Sequence, residues 1–271
     1  MSRIKQVAKQ ASQQGRKLLI PYLVAGDPDL STTLALMHVL VDQGADIIEL
    51  GIPFSDPSSD GPVIQRGVER ALSKGVTLQN VLNLVAEFRQ SNENTPIVLM
   101  GYLNPIEIMG YASFVENAAS AGVDGVLVVD MPTTESEQLH GLLQEREIDT
   151  IYLVAPTTRD ERLETICSHT SGYLYYVSLK GVTGAALTDY ESVAANIAKL
   201  RERSDLPIVI GFGIKDADSA KAMGSLSDGV IIGSALVEQI AKLSDQTNPN
   251  ETILAQTTDV IKVAREALDS I

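Results

Sequence analysis

Glu49 stands inside the apolar run Ile47-Ile48-Glu49-Leu50-Gly51. A carboxylate placed in such a run is taken out of water, which raises its pKa toward the range where one group can both give and take a proton near neutrality. A buried ion pair joining two strands is the other reading of the same residue, and Glu49 alone leaves both open. The run leads into a long polar connection, Pro53-Phe54-Ser55-Asp56-Pro57-Ser58-Ser59-Asp60-Gly61-Pro62. Asp56 and Asp60 are ordinary turn formers in Asp-Pro and Asp-Gly pairs. A loop of this length is also where a scaffold places functional groups.

Three glycine-bearing turns come late in the chain: Gly181-Val182-Thr183-Gly184, Gly211-Phe212-Gly213 and Gly233-Ser234. Taken singly, each is a strand end. Together they supply main-chain N–H groups, with the Ser234 hydroxyl as a further donor, in a pattern that suits a phosphate cradle opening a short helix at Ser234-Ala235-Leu236-Val237. His38, His140 and His169 fall in different helical segments, and none pairs with a second histidine or a cysteine at metal-ligand spacing, so no catalytic metal is expected. No lysine lies inside a strand-like run. Lys180 and Lys215 fall in loops, which leaves a buried Schiff-base lysine without a candidate. A carbon–carbon cleavage at such a site needs its electron sink in the substrate.

Eight apolar runs of strand length position these groups: Leu18 to Ala25, Ile47 to Gly51, Ile97 to Gly101, Gly125 to Val129, Thr150 to Val154, Leu174 to Val177, Pro207 to Gly211 and Gly229 to Gly233. Helical spacing fills the gaps, as in Leu34, Met37, His38 and Val41, or Leu139, Leu142 and Leu143 within Ser136 to Glu147. Continuous apolar strands imply burial on both faces, and strict alternation with helices implies parallel pairing. The expected fold is an α/β (β/α)8 barrel forming a single domain over 1–271, with its site at the C-terminal ends of the strands. A doubly wound open sheet is the rival. No G-x-G-x-x-G follows the first strand, and Gly26-Asp27-Pro28 reads as a turn into a helix near Ser31. Ser2 to Gln13 has Ile4, Val7, Ala8 and Ala11 at helical spacing and is expected to cap the N-terminal end of the barrel. Ser244 to Glu251 reads as a surface loop before a final helix, Thr252 to Leu268.

Composition removes whole classes of function. A net charge of −14 disfavours nucleic acid, whose affinity comes from Lys and Arg neutralising phosphates. The one cysteine, Cys167, cannot form an intrachain disulfide, which fits a reducing compartment such as the cytoplasm. No signal-peptide pattern is visible at the N-terminus, and no apolar run approaches the ~20 residues a membrane-spanning helix needs.

Ile48-Glu49-Leu50-Gly51-Ile52-Pro53-Phe54-Ser55-Asp56-Pro57 followed by Asp60-Gly61-Pro62-Val63-Ile64-Gln65 resembles the signature of tryptophan synthase alpha subunits. Pro21-Tyr22 with Gly26-Asp27-Pro28, Tyr102 with Asn104-Pro105, Ala121-Gly122-Val123-Asp124-Gly125 and Asp130-Met131-Pro132 are similar to the same family. So are Ala155-Pro156-Thr157-Thr158, Tyr175-Tyr176-Val177-Ser178 and Gly181-Val182-Thr183-Gly184-Ala185, so the resemblance runs over nearly the whole chain in family order.

The resemblance implies a reverse-aldol cleavage of indole-3-glycerol phosphate to indole and glyceraldehyde 3-phosphate, with the indole ring taking up the electrons and no cofactor in this chain. It implies that Glu49 is the acid and base, that Asp60 accepts from the ring N–H, and that Tyr175 sits beside Glu49. Tyr22, Leu127 and Phe212 would line the indole pocket, while Gly184, Gly213, Gly233 and Ser234 would hold the phosphate. Ser178 to Asp189 would be a mobile lid in which Thr183 orients Asp60. The partner implied is a pyridoxal-phosphate beta subunit, in an assembly of two alpha and two beta chains, facing Asp56, Asn104 and Pro105. Ser58-Ser59 stands where many members carry Leu-Ala, and Leu179 where many carry Arg, with Lys180 next to it.

Two rival functions remain at this level. Another phosphate-binding barrel enzyme is one; an indole-glycerol phosphate synthase would need a lysine-rich site that the strands lack. A catalytically silent barrel that binds and activates a beta subunit is the other, and an assay separates them.

Overall fold

The computed structural model describes residues 2–177, 190–246 and 249–271. The apolar runs form parallel strands: β1 (Leu18–Val24), β2 (Ile48–Gly51), β3 (Ile97–Gly101), β4 (Gly125–Val128), β5 (Asp149–Thr150), β6 (Leu153–Val154), β7 (Leu174–Val177), β8 (Ile208–Gly211) and β9 (Gly229–Ile232). They pair in the order β5-β4-β3-β2-β1-β9-β8-β7-β6. The two ends of that series, β5 and β6, are halves of the single run expected at Thr150 to Val154. Between them the Ile151 N–H donates to the Val126 carbonyl on β4, and the Tyr175 N–H on β7 donates to the Tyr152 carbonyl. The fifth strand is thus shared between two neighbours, and the sheet closes on itself as a (β/α)8 barrel. An open doubly wound sheet would have left two free edges.

The strands are buried on both faces because helices cover the outside and side chains fill the bore; every residue of β1, β2, β8 and β9 is buried. Helices begin where short polar side chains take up free N–H groups: Asp29 caps Leu30–Asp42 through the Thr32 N–H, and Thr77 and Asn80 form a reciprocal capping box on Leu78–Arg89. One expectation needs correction. The final helix is two helices, Glu251–Thr257 and Asp259–Leu268. The break falls at buried Thr258, whose backbone (φ −96°, ψ 6°) leaves helical geometry while its N–H and its hydroxyl both donate to the Leu254 carbonyl.

At the N-terminal end, the helix Arg3–Gln13 is capped by Ser2 and buries Ile4, Ala8 and Ala11. A side chain at Gly125, the first residue of β4, would come within 3.0 Å of Ile4 Cδ1, so that glycine lets the helix seat against the barrel floor. Three aspartates repeat one arrangement there. Asp46, Asp124 and Asp228 accept from the N–H groups of Leu19, Ile97 and Ile208, the first or second residue of the adjoining strand. Each also pairs with arginine: Asp46 with Arg16 and Arg265, Asp124 with Arg3 and Arg89, Asp228 with Arg201. These ion pairs fix the strand starts, and the opposite ends remain free to carry loops. A cavity of about 630 Å³ opens beside this floor, lined in part by Lys5, Lys9, Arg16 and Lys17, away from the strand ends where the acids gather.

Candidate active site

Glu49 lies on β2 in register with Tyr22 of β1 and Val98 of β3. Its side chain is fully buried, with Oε1 accepting from the Tyr173 hydroxyl at 2.5 Å and Oε2 without a hydrogen-bond partner among the described residues. Burial pushes the carboxyl up to about 7, against the opposing pull of the Tyr173 hydrogen bond. Among the described residues no cation pairs with Glu49, so the ion-pair reading of this residue lacks a partner there.

Asp60 follows a tight turn in which its N–H donates to the Pro57 carbonyl, while its own carbonyl accepts from Gln65 Nε2. Turn and function are not rivals here, because the turn is what presents the carboxylate. Burial raises the Asp60 carboxyl to about 6, and a hydrogen bond from Tyr102 partly opposes it. Tyr102, directly after β3, accepts from the Ser59 N–H at 3.0 Å and packs its ring 5.6 Å from that of Phe54. One tyrosine therefore holds the backbone before Asp60 and lies close enough to its carboxylate to temper that rise.

The two acids act on the same pair of hydroxyls. Burial drives Tyr22 and Tyr175 well above the usual tyrosine range, and both Glu49 and Asp60 push them further in that direction. Glycines at strand ends leave room for these rings: a side chain at Gly51 would collide with the Tyr22 hydroxyl, and one at Gly211 with that of Tyr175. Leu127 is buried on β4 in register with Met100 of β3.

After β8, Phe212 and Gly213 both take positive φ, 101° and 76°, a conformation that glycine adopts freely and phenylalanine rarely, and the Phe212 ring is half-exposed. After β9, Gly233 lies beside the Tyr22 ring and the exposed Ser234 opens the short helix Ser234–Ile240. The expected positions Thr183 and Gly184, together with the whole stretch from Ser178 to Asp189, lie outside the described residues. Asp56 and Asn104 are exposed and Pro105 half-buried; the helix Leu103–Met109 that carries the latter two also displays Ile108, 81% exposed.

Sequence reasoning passed over Tyr173 and gave Tyr102 no role. For Tyr173 the signal was available: strand side chains alternate, so 173 and 175 share a side, and the expected inward Tyr175 carries Tyr173 with it. Tyr102 acts through a loop fold that no periodicity reports. His140 and His169, separate in sequence, are brought ring to ring on the outside of the barrel. Among the described residues no group of three or more metal-ligating side chains forms.

The family model for the tryptophan synthase alpha chain matches residues 8–266. The chain belongs to that family. It is 54% identical over 271 residues to the tryptophan synthase alpha chain of Marinobacter nauticus, covering 100% of this chain and 99% of the relative. It is 52% identical over 270 residues to that of Cupriavidus taiwanensis, with 100% of each chain covered. The crystal structure of tryptophan synthase subunit alpha from Legionella pneumophila superposes with a TM-score of 0.91 at 41% identity over 100% of both chains. Tryptophan synthase alpha chains are lyases that cleave indole-3-glycerol phosphate to indole and glyceraldehyde 3-phosphate in tryptophan biosynthesis, and the family implies a beta-subunit partner. No helix among the described residues is long and apolar enough to cross a membrane.

Proposed function

We propose that Glu49 and Asp60 carry the cleavage between them, one on each side of a bound indole. Glu49 delivers its proton to indole C3, which turns the ring into a cationic indolenine, and Asp60 accepts from the ring N–H and stabilises that charge. Glu49, now a carboxylate, takes the proton from the 3′ hydroxyl. The C3–C3′ bond then breaks, its electron pair restores the aromatic indole, and the former alcohol carbon becomes the aldehyde of glyceraldehyde 3-phosphate. A group that passes one proton out and another back works best with a pKa near the working pH, and burial has put Glu49 there. Tyr175 borders the reacting carbons, and Tyr22, Leu127 and Phe212 form the walls around the ring. Gly184, Gly213, Gly233 and Ser234 grip the phosphate, and Thr183 orients Asp60.

The observation that carries this reading is the convergence of two carboxylates, both raised toward neutrality by burial, on one pair of tyrosine hydroxyls. The chain is read as one domain working in the cytoplasm with two alpha and two beta subunits, pyridoxal phosphate belonging to the beta subunit. Asp56, Asn104 and Pro105 face that partner. Purified protein should release indole from indole-3-glycerol phosphate without added metal or pyridoxal phosphate, slowly alone and faster with a beta subunit. Absence of indole under both conditions would reject this reading and leave a silent, partner-binding barrel or another phosphate-binding barrel enzyme.

A further inference from the structure

His140 lies on the helix Glu137–Glu145 and His169 ends the helix Asp160–His169, two neighbours on the outer face of the barrel beside the divided fifth strand. Their rings lie 5.4 Å apart, centroid to centroid, tilted by 49°, and both side chains are half-buried. Each ring is tethered through Nδ1. His169 Nδ1 lies 2.8 Å from the Thr165 carbonyl, which can only accept, so this nitrogen carries the proton and Nε2 keeps its lone pair. His140 Nδ1 lies 3.2 Å from the Thr150 hydroxyl on β5. Neither Nε2 bonds to a described residue. Tethering one ring nitrogen to a protein acceptor while the other stays free is how metal-binding imidazoles are oriented.

The spacing is informative. With metal–nitrogen bonds of about 2.1 Å and a ring centre roughly 1.1 Å further on, two imidazoles at a tetrahedral angle have centroids ~5.3 Å apart.

We propose that His140 and His169 form a two-imidazole chelate for a late first-row divalent metal ion, zinc or nickel in kind, completed by water and separate from the catalytic acids. The ion would clamp the two helices together outside β5 and raise the stability of the folded chain by linkage. The ligand type suits such borderline ions better than magnesium or calcium.

The test is calorimetric titration of untagged full-length protein with zinc chloride in a non-chelating buffer. One saturable equivalent is expected, with His140→Gln and His169→Gln each weakening it about tenfold or more, because a lone imidazole cannot chelate. His38→Gln and Cys167→Ser should bind like the parent, and indole release by all four variants should match it, which verifies their fold. Independently of any variant, nickel added to the parent protein should broaden the imidazole proton resonances of His140 and His169 ahead of those of His38. Binding that survives both glutamine variants, that is lost with His38 or Cys167, or that never saturates overturns the proposal.

Discussion

The Tyr173 hydroxyl reaches Glu49 Oε1 at 2.5 Å from the opposite wall of the barrel: β7, which Tyr173 directly precedes, and β2, which carries Glu49, lie four strand positions apart around the ring. The proposed proton carrier is thus held by a side chain that spans the bore, while its second oxygen bonds to none of the described residues. That division leaves one oxygen fixed and the other available to a substrate.

Tyr173→Phe removes this donor and little else. The hydrogen bond favours the carboxylate, so its loss raises the Glu49 pKa above about 7. Whichever limb of the pH–kcat/KM profile Glu49 controls should move to higher pH, with kcat about tenfold lower and substrate affinity nearly unchanged. A profile that superposes on the parent's would show that Tyr173 only fills space.

Glu49→Gln should abolish measurable turnover, a loss on the order of 10²-fold or more, while inhibitor binding persists. It should also alter stability in a pH-dependent way. Glu49 is raised from 4.5 to about 7, so the folded state favours its protonated form. No penalty exists below pH 4.5; it grows as pH rises and is complete above 7, where it reaches about 3 kcal/mol. Urea unfolding should find the variant more stable than the parent at pH 8, with the gap closing by pH 4.5.

Asp60→Asn keeps the size of the side chain but cannot carry the charge that opposes the indolenine cation. Turnover should fall about 10²-fold or more with modest change in KM. Equal rates in steady-state assays would remove Asp60 from the mechanism.

Gly213→Asp adds a negative charge where the phosphate is placed, at a residue whose φ of 76° also favours glycine. Glycerol phosphate binding should weaken about tenfold or more by calorimetry, and an unchanged affinity would move the phosphate site elsewhere.

Asp124→Ala leaves Arg89 and the Ile97 N–H without their buried acceptor. The expected loss is about 3 kcal/mol in denaturant unfolding. Turnover per folded molecule should stay at the parent's value, because Asp124 lies at the other end of the barrel from the acids.

The barrel was readable because its signal is repetitive: eight apolar runs alternate with helical spacing, and each strand lies within a residue or two of its expected bounds. What escaped was specified by single side chains. The division of the fifth strand at Ile151-Tyr152 depends on which neighbour each backbone group bonds, and the break between the last two helices on the backbone angles of one residue, Thr258. Within the site, Glu49 announced itself as an acid in an apolar run, and Asp60 through its family motif. Tyr102 and Tyr173 hold those acids from elements remote in sequence, a relation that exists only after folding. The pairing of His140 with His169 is of the same kind.

The aspartate pins at the start of β1, β3 and β8 leave the catalytic rim with little share in keeping the strands aligned. Loop sequences grafted onto that rim, even ones of foreign length, should therefore be tolerated by the scaffold, which makes this chain a promising chassis for directed evolution toward new aromatic substrates.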